Sequence, residues 1–345
     1  MTVRANSPVP ALHRQRSLRI VAGAIDMLRL DLSKHIVLTE VGSGLFAYTP
    51  IIAALAGAAR VFAWTRDTPF GGAAAVVEEC QRLAELADVD ASAIVFSANA
   101  RPSEHVAQAT IITNSGHVRP LDGSLLRCAD ATRVSIPLMY EAWELRATDI
   151  DIDYCRQRGI PVAGTFENHP DLKIFDCCEQ LLLKLCMEAG YEISGNRVIV
   201  WSNDHFGQLA LSGLNKLGAA EIIQTTDVQT LYQHANDADF VMFCDYMSRR
   251  CLIGEGGEID ARRLFAANPA LGIVHLCGDI DDALVKACGL GISPDERGLP
   301  VRMSRTLAHL GPRPVLLLQA AGLKVGQLLS ERRWDDPLVQ LLFRP

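Results

Sequence analysis

The sequence predicts an α/β fold with parallel sheets, and three observations carry the prediction. From His35 onward, short apolar strand-like runs alternate with helical patterns of about ten to fifteen residues, the mark of parallel α/β layers. Gly195 to Gly218 reads as a strand (Arg197 to Trp201), a tight turn and a helix starting near Phe206, the way a dinucleotide-binding unit opens. At 345 residues and 49% hydrophobic content, the chain has material for two domains or one large one.

The elements follow in order. A strand at Ile36 to Val41 leads through Gly42-Ser43-Gly44 into a helix at Phe46 to Gly57, then a strand at Arg60 to Trp64. After a loop through Pro69 and Gly71-Gly72, a helix runs to Leu86, followed by a strand at Ala93 to Phe96. Gln108 to Thr113 reads as a buried strand, Gly123 to Ala129 as a helix and Thr132 to Pro137 as a strand. A short helix at Asp151 to Arg158 turns at Gly159 into a strand at Ile160 to Ala163. Asp171 to Ala189 is a long helix with Leu181, Leu182, Leu185 and Cys186 on its apolar face, and Gly190 fits its C-terminal cap. Past the 195–218 stretch come strands at Glu221 to Gln224, Phe240 to Cys244 and Gly272 to Leu276. Helices at Val228 to Ala235, Asp260 to Ala267 and Asp281 to Cys288 separate and follow them, and Val315 to Leu329 is an apolar helix.

Composition excludes several classes. A formal net charge of −7 argues against a general nucleic-acid binder. The first nineteen residues are basic, with Arg4, Arg14, Arg16 and Arg19, lack a signal-peptide core, and read as a loose arm. No apolar run reaches membrane-spanning length. Ten cysteines without a secretion signal point to a reducing, cytoplasmic compartment, and the absence of C-x-x-C argues against zinc.

The turn after Trp201 departs from the dinucleotide pattern. Aligning Gly207 with the last glycine of G-x-G-x-x-G puts Ser202 and Asp204 where the first two glycines belong. Glycine there lets the backbone approach a pyrophosphate, whose charge the helix N-terminus favours. A carboxylate at Asp204 opposes it.

Arg158-Gly-Ile-Pro-Val, Thr165, a long helix and the strand-turn-helix at Val198 to Leu217 resemble the D-2-hydroxyacid dehydrogenases of the formate and glycerate dehydrogenase type. Adenosylhomocysteine hydrolase shares this layout more distantly. Leu125 to Val134, Ala238-Asp239-Phe240-Val241 and Gly278 to Leu284 add to the resemblance, which covers roughly residues 105 to 325. It implies two doubly wound, Rossmann-like domains with a cleft between them. A discontinuous substrate domain would take residues 1–170 and 312–345, and a nucleotide-binding domain residues 171–311. It further implies a homodimer, NAD or NADP as cofactor, and hydride transfer to or from a small polar substrate.

Carried over position by position, the chemistry is altered. Thr306 to Gly311 resembles the family's histidine segment without its proline and offers His309 as acid/base. Asp295 or Glu296 loosely fits the glutamate, and Cys277 stands where the family's arginine belongs. Arg146, in a segment that replaces the glycine-rich substrate loop, offers a guanidinium for a substrate anion and equally reads as an exposed helix-end arginine. The cofactor side would comprise Ser202, Asp204, His205, Phe206, Gly207, Thr225, Thr226 and Cys277. Gln224-Thr225-Thr226 lacks the carboxylate that holds a ribose diol, and Asp227 comes one residue late. A second expectation is a catalytically silent relative that binds a ligand or partner on the same fold.

A third is a methyltransferase: Glu40-Val-Gly-Ser-Gly44, with Asp67 past the second strand, resembles the first motif of S-adenosylmethionine enzymes. The same glycines suit a plain strand-to-helix turn. His117, Glu167 and His169 fall on loops after strands, where ligands sit in parallel sheets. His275, inside an apolar strand, reads as a hydrogen-bonded core histidine, and Asp149 or Asp151 as a helix cap.

Overall fold

The structure, a computed structural model, describes residues 11–68, 71–100, 103–295 and 303–344. The chain divides into two compact units, Met1–Ile174 with Pro312–Pro345, and Phe175–Gly311. Both are α/β with parallel strands, as the alternation of elements predicts.

The first unit holds helix α1 (Ala11–Leu28), strand β1 (Ile36–Glu40), α2 (Tyr48–Leu55), β2 (Arg60–Thr65), α3 (Ala73–Leu86) and β3 (Ile94–Ala98). It continues with α4 (Ser103–Gln108), β4 (Ile111–Ile112), α5 (Gly123–Leu126), β5 (Ile136–Pro137), α6 (Ile152–Arg158) and β6 (Val162–Thr165). The second holds α7 (Ile174–Glu188), β7 (Arg197–Trp201), α8 (His205–Lys216), β8 (Glu221–Thr225), α9 (Val228–Ala235), β9 (Phe240–Cys244) and β10 (Cys251–Ile253). Then come α10 (Ala261–Ala267), β11 (Gly272–Cys277), β12 (Asp279–Ile280), α11 (Asp282–Ala287), β13 (Gly291–Ser293) and α12 (Leu307–Leu310). The chain returns to the first unit with α13 (Pro312–Ser330) and β14 (Val339–Leu341).

In the first unit, strands β3-β2-β1-β4 form one parallel ladder and β14-β6-β5 another, with only β14 antiparallel. Backbone bonds from Ile112 to Ser135 (3.0 Å) and from Asn114 to Pro137 (2.9 Å) join them. The chain therefore progresses outward from β1 on one side and from β4 on the other, which makes β1/β4 the topological switch point. In the second unit the order is β13-β11-β9-β7-β8, and the switch point is β7/β9. Ligands of open α/β sheets bind outside the carboxyl ends of strands at such points.

Several sequence expectations need correction. Of the nineteen residues expected to form a loose arm, 1–10 lie outside the described residues, and 11–19 open α1, whose Ser17, Ile20, Val21, Ala24 and Leu28 are buried at helical spacing. The basic residues point elsewhere, and Arg14 binds Glu79 through Nε (2.9 Å) and Nη2 (3.1 Å). Gln108 ends a helix rather than starting a strand, and that strand shrinks to Ile111–Ile112. The long helix starts at Ile174, after Asp171. By contrast, β7, α9 and β9 fall on the residues the pattern assigns. Gly190 sits at φ +92° behind α7, in the left-handed region that a C-cap glycine takes.

Candidate functional site

The β7–α8 turn holds most of the residues expected at a cofactor, and Asp204 organises it. One carboxylate oxygen accepts from the Phe206 N–H (2.9 Å), capping α8, and from the Ser202 hydroxyl (2.9 Å). The other accepts from the backbone N–H groups of Tyr246 (2.6 Å) and Met247 (3.1 Å), past the end of β9. A single carboxylate thus bridges the second unit's switch point. It takes one N–H donor of the α8 start, Phe206, at the place where an anionic ligand would otherwise be held.

The surroundings fill the rest of that space. The Gln224 amide donates to the Ser202 carbonyl (2.8 Å) and accepts from Gln208 (3.2 Å), so a neutral side chain closes the end of β8. Gly207 is required there: a Cβ would lie 2.7 Å from Gln224 Nε2 and 2.9 Å from Ser202 Oγ. Thr225 accepts from the Asp227 N–H (2.9 Å), and Asp227 itself caps α9 through Thr230 (2.7 Å). Thr226 follows, half-buried. His205 is exposed and its ring meets Phe175, centroids 4.6 Å apart, while Phe206 packs on Tyr246 at 5.5 Å. Cys277 is buried beside Cys244, its partner in the β11–β9 register, and burial pushes both thiols well up. Asp245, also buried, has its carboxyl raised by burial and then by Asp204. These side chains satisfy one another and, as arranged, do not fit a dinucleotide pyrophosphate or a ribose diol.

His309 is elsewhere in the same unit. Its Nε2 lies 2.7 Å from Glu188, and its carbonyl accepts from Lys184 (2.6 Å). Phe175, against His205, marks the end of α7 near the turn. Tyr191, just past the other end, sits where a Cβ on Gly272 would be, at the start of β11. Glu188 is about 20 Å further along α7 than Phe175, at 1.5 Å per residue. The ring is held on the flank of α7, toward the amino ends of the strands, away from Ser202–Gly207. Asp295 is exposed and pairs with Lys286 (3.2 Å); Glu296 lies outside the described residues. His275 is a buried core histidine with Nε2 2.8 Å from the Gly278 carbonyl, as its setting predicts.

The first unit presents a different edge. Glu40, the last residue of β1, is 6% exposed and extends toward the loop after β4, where the His117 N–H donates to it (3.1 Å). That is the one hydrogen bond its carboxylate accepts among the described residues, and burial raises its pKa. Gly116 makes room: a Cβ there would stand 1.7 Å from Glu40 Oε2. Asp67 braces its own loop, accepting from Ala73 (2.8 Å) and from the Asn99 side chain (3.1 Å), so the acid expected to assist the Gly42–Gly44 turn is already committed. The imidazole of His117 is half-buried and its pKa is lowered, by burial first and then by Arg66.

On the next strands, Asn114 donates to Tyr140 Oη (2.6 Å), Tyr140 donates to Asp149 (2.7 Å), and Arg119 pairs with Asp149 (3.3 Å). Sequence reasoning missed this chain because its members are spread over 35 residues and only the fold aligns them. Arg146 is exposed in a loop rather than at a helix end. Glu167, beside Glu144 and Glu141, has its carboxyl raised by burial and then by those two neighbours. His169 Nδ1 accepts from the Asp171 N–H (3.3 Å), and Asp151 caps α6 through Tyr154 (2.9 Å).

No family model matches the chain, and no curated protein matches its sequence. Solved structures do. Dipicolinate synthase from Bacillus subtilis is 12% identical with a TM-score of 0.55, over 89% of this chain and 100% of that one. The dipicolinate synthase of Bacillus halodurans is 12% identical with a TM-score of 0.53, over 87% and 99%. D-lactate dehydrogenase from Escherichia coli is also similar, at 11% identity and a TM-score of 0.48, over 89% and 100%. At such identities the likeness is one of fold, and the expected α/β fold with Rossmann-like sheets is borne out. No helix among the described residues is long and apolar enough to cross a membrane.

Proposed function

We propose that this chain binds a small molecule on a dehydrogenase-type fold without taking a nicotinamide dinucleotide across the β7–α8 turn. The observation that carries this reading is the Asp204 carboxylate with its four hydrogen bonds, set at the start of α8 where a pyrophosphate would need the Phe206 N–H that it holds. Displacing it would leave an anion competing with an anion. Titration of the full chain with NADH and NADPH, followed by nucleotide fluorescence and by melting temperature, tests it. A ligand at a hundred times its Kd adds about 2.7 kcal/mol of stability. The expected result is no binding and no shift at millimolar nucleotide; micromolar binding overturns the reading.

A second reading is an NAD(P)-dependent oxidoreductase acting on a small polar substrate, paired as a homodimer. It is favoured by the switch point at β7/β9 and by the close approach of α8 that Gly207 permits. It would use Ser202, Asp204, His205, Phe206, Gly207, Thr225, Thr226 and Cys277 at the cofactor. His309, Glu296 and Arg146 would act at the substrate. It requires Asp204 to leave its donors, and the same titration decides for or against it.

A further inference from the structure

We infer that the carboxyl ends of β2, β1 and β4 in the first unit form a binding site for a small molecule carrying a primary ammonium group. The inference rests on the ligand-binding reading above and gives that ligand a place and a chemistry.

Three adjacent strands bring one polar group each to the same face. Glu40 pairs in register with Trp64, and Leu38 with Ile112. Two residues further, Glu40 stands level with Asn114, and the Thr39–Thr113 side-chain bond (2.9 Å) on the opposite face confirms the alignment. Paired residues of parallel strands project to one side. That side is the first unit's apolar core at Leu38, Phe62 and Ile112, and at the carboxyl edge it turns polar.

The polar groups there are under-supplied. Asn114 is 0% exposed and its Oδ1 has no hydrogen-bond partner among the described residues, and neither has the buried Trp64 Nε1. The orientation of the Asn114 amide is fixed by chemistry. Tyr140 spends its O–H on Asp149, so its oxygen must accept, and the Asn114 NH₂ must face it. The acceptor left over is therefore Oδ1. Beside it the Glu40 carboxylate holds a single donor, against room for several. Buried acceptors without donors cost about 1–3 kcal/mol each, and native structures seldom leave them so.

The missing counterpart has a definable chemistry. It must bring several donors to two neighbouring acceptors, and positive charge to a carboxylate that burial otherwise disfavours. A primary ammonium does both, with three N–H groups. The charged groups facing Glu40 supply part of this: the Arg119 charge favours the Glu40 carboxylate, less than burial disfavours it, but its hydrogen bond goes to Asp149 (3.3 Å), and Arg66 acts on His117. Glycine at 116 gives the Glu40 carboxylate its place, and the Phe46 side chain lies against Gly42, where a Cβ would stand 2.8 Å from Phe46 Cβ and 3.8 Å from Glu40 Oε2. Trp64 Nε1–H adds a donor for an acceptor atom elsewhere on the ligand.

The test uses the full chain with ethanolamine and glycine as probes. Tetramethylammonium and acetate serve as counterparts lacking the N–H donors. Ethanolamine or glycine is expected to raise the melting temperature, with the counterparts inert. Calorimetry across a pH series in two buffers of different ionisation heat is expected to show proton release wherever Glu40 is protonated before binding, since its carboxyl must ionise to meet the ammonium. Glu40→Gln should weaken binding at least about tenfold, a loss of about 1.4 kcal/mol. Asn114→Leu should weaken it as well, and keeps the test open if one variant fails to fold. No shift with either ammonium probe overturns the site, as does an equal shift with tetramethylammonium. Binding undiminished in both variants overturns it too, as does a crystal structure with both probes present that shows only a buried water on Asn114 Oδ1. NADH titration reports on the second unit, so failure here with no NADH binding removes the site and leaves the proposed function standing.

Discussion

The two switch points of the molecule carry the same device under opposite conditions. In the second unit, Asp204 reaches across the carboxyl ends of β7 and β9 and collects four hydrogen bonds. In the first, Glu40 reaches across β1 and β4 and collects one, in near-complete burial. A carboxylate with its valences met is a structural staple. One that is buried and short of donors is a cost the fold carries, and such costs gather where ligands bind. The difference assigns the closed crevice to the unit that resembles a nucleotide domain and the open valences to the other.

Neutralising each acid isosterically should separate the two most clearly. Asp204→Asn keeps one acceptor but replaces charge-assisted bonds with neutral ones and turns an NH₂ toward donors, so it should cost about 3 kcal/mol in urea unfolding at pH 7. A loss under about 1 kcal/mol would mean the staple is not holding the turn. Gly116→Ala attacks the other side: its Cβ would stand 1.7 Å from Glu40 Oε2, so the carboxylate must vacate. A loss of about 2 kcal/mol is expected, reduced by Glu40→Ala in the same chain, since the two changes share one space.

Glu40→Gln should go the other way, stabilising the protein by about 1 kcal/mol at pH 7. The sign follows from the raised pKa: the folded state binds more protons than the unfolded one, so stability falls as pH climbs from the ordinary 4.5 through the folded value. The variant should flatten that part of the stability–pH curve. A curve of unchanged slope would show that Glu40 does not titrate as a buried acid, and would remove the contrast with Asp204.

Much of this framework was legible in sequence where local patterning decides structure. Strand β7, helix α9 and strand β9 are apolar or amphipathic enough to be read to the residue, and Ser202 and Asp204 are visible departures from a glycine turn. What Asp204 does instead was not legible, because its donors Tyr246 and Met247 lie more than forty residues on and only the sheet brings them in. Strands β4 and β5, two residues each, are too short to announce themselves, and β10, β13 and β14 exist through their partners. Helix α1 was hidden by its arginines, whose charge obscures the buried stripe between them. Glu40 was noticed for its place before a glycine turn, but its burial and the orphaned Asn114 beside it depend on register between strands seventy residues apart.

The smallest expected effect tests His309, the histidine that the sequence offers as acid/base. His309 is partly exposed, 32% at its side chain, and pairs with a Glu188 that is 42% exposed. Exposed pairs are worth about 0–1 kcal/mol, and solvent screening discounts this one further. His309→Ala is therefore expected to lower stability by about 0.5 kcal/mol and to leave ethanolamine and glycine binding unchanged, since neither unit's switch point includes the ring. Raising salt should shrink the difference between variant and parent, because the pair is screened while the buried staples are not. If the variant instead abolishes ligand binding or a measured turnover at unchanged stability, the imidazole reaches reacting atoms by leaving Glu188. The oxidoreductase reading then gains what the Asp204 turn denies it.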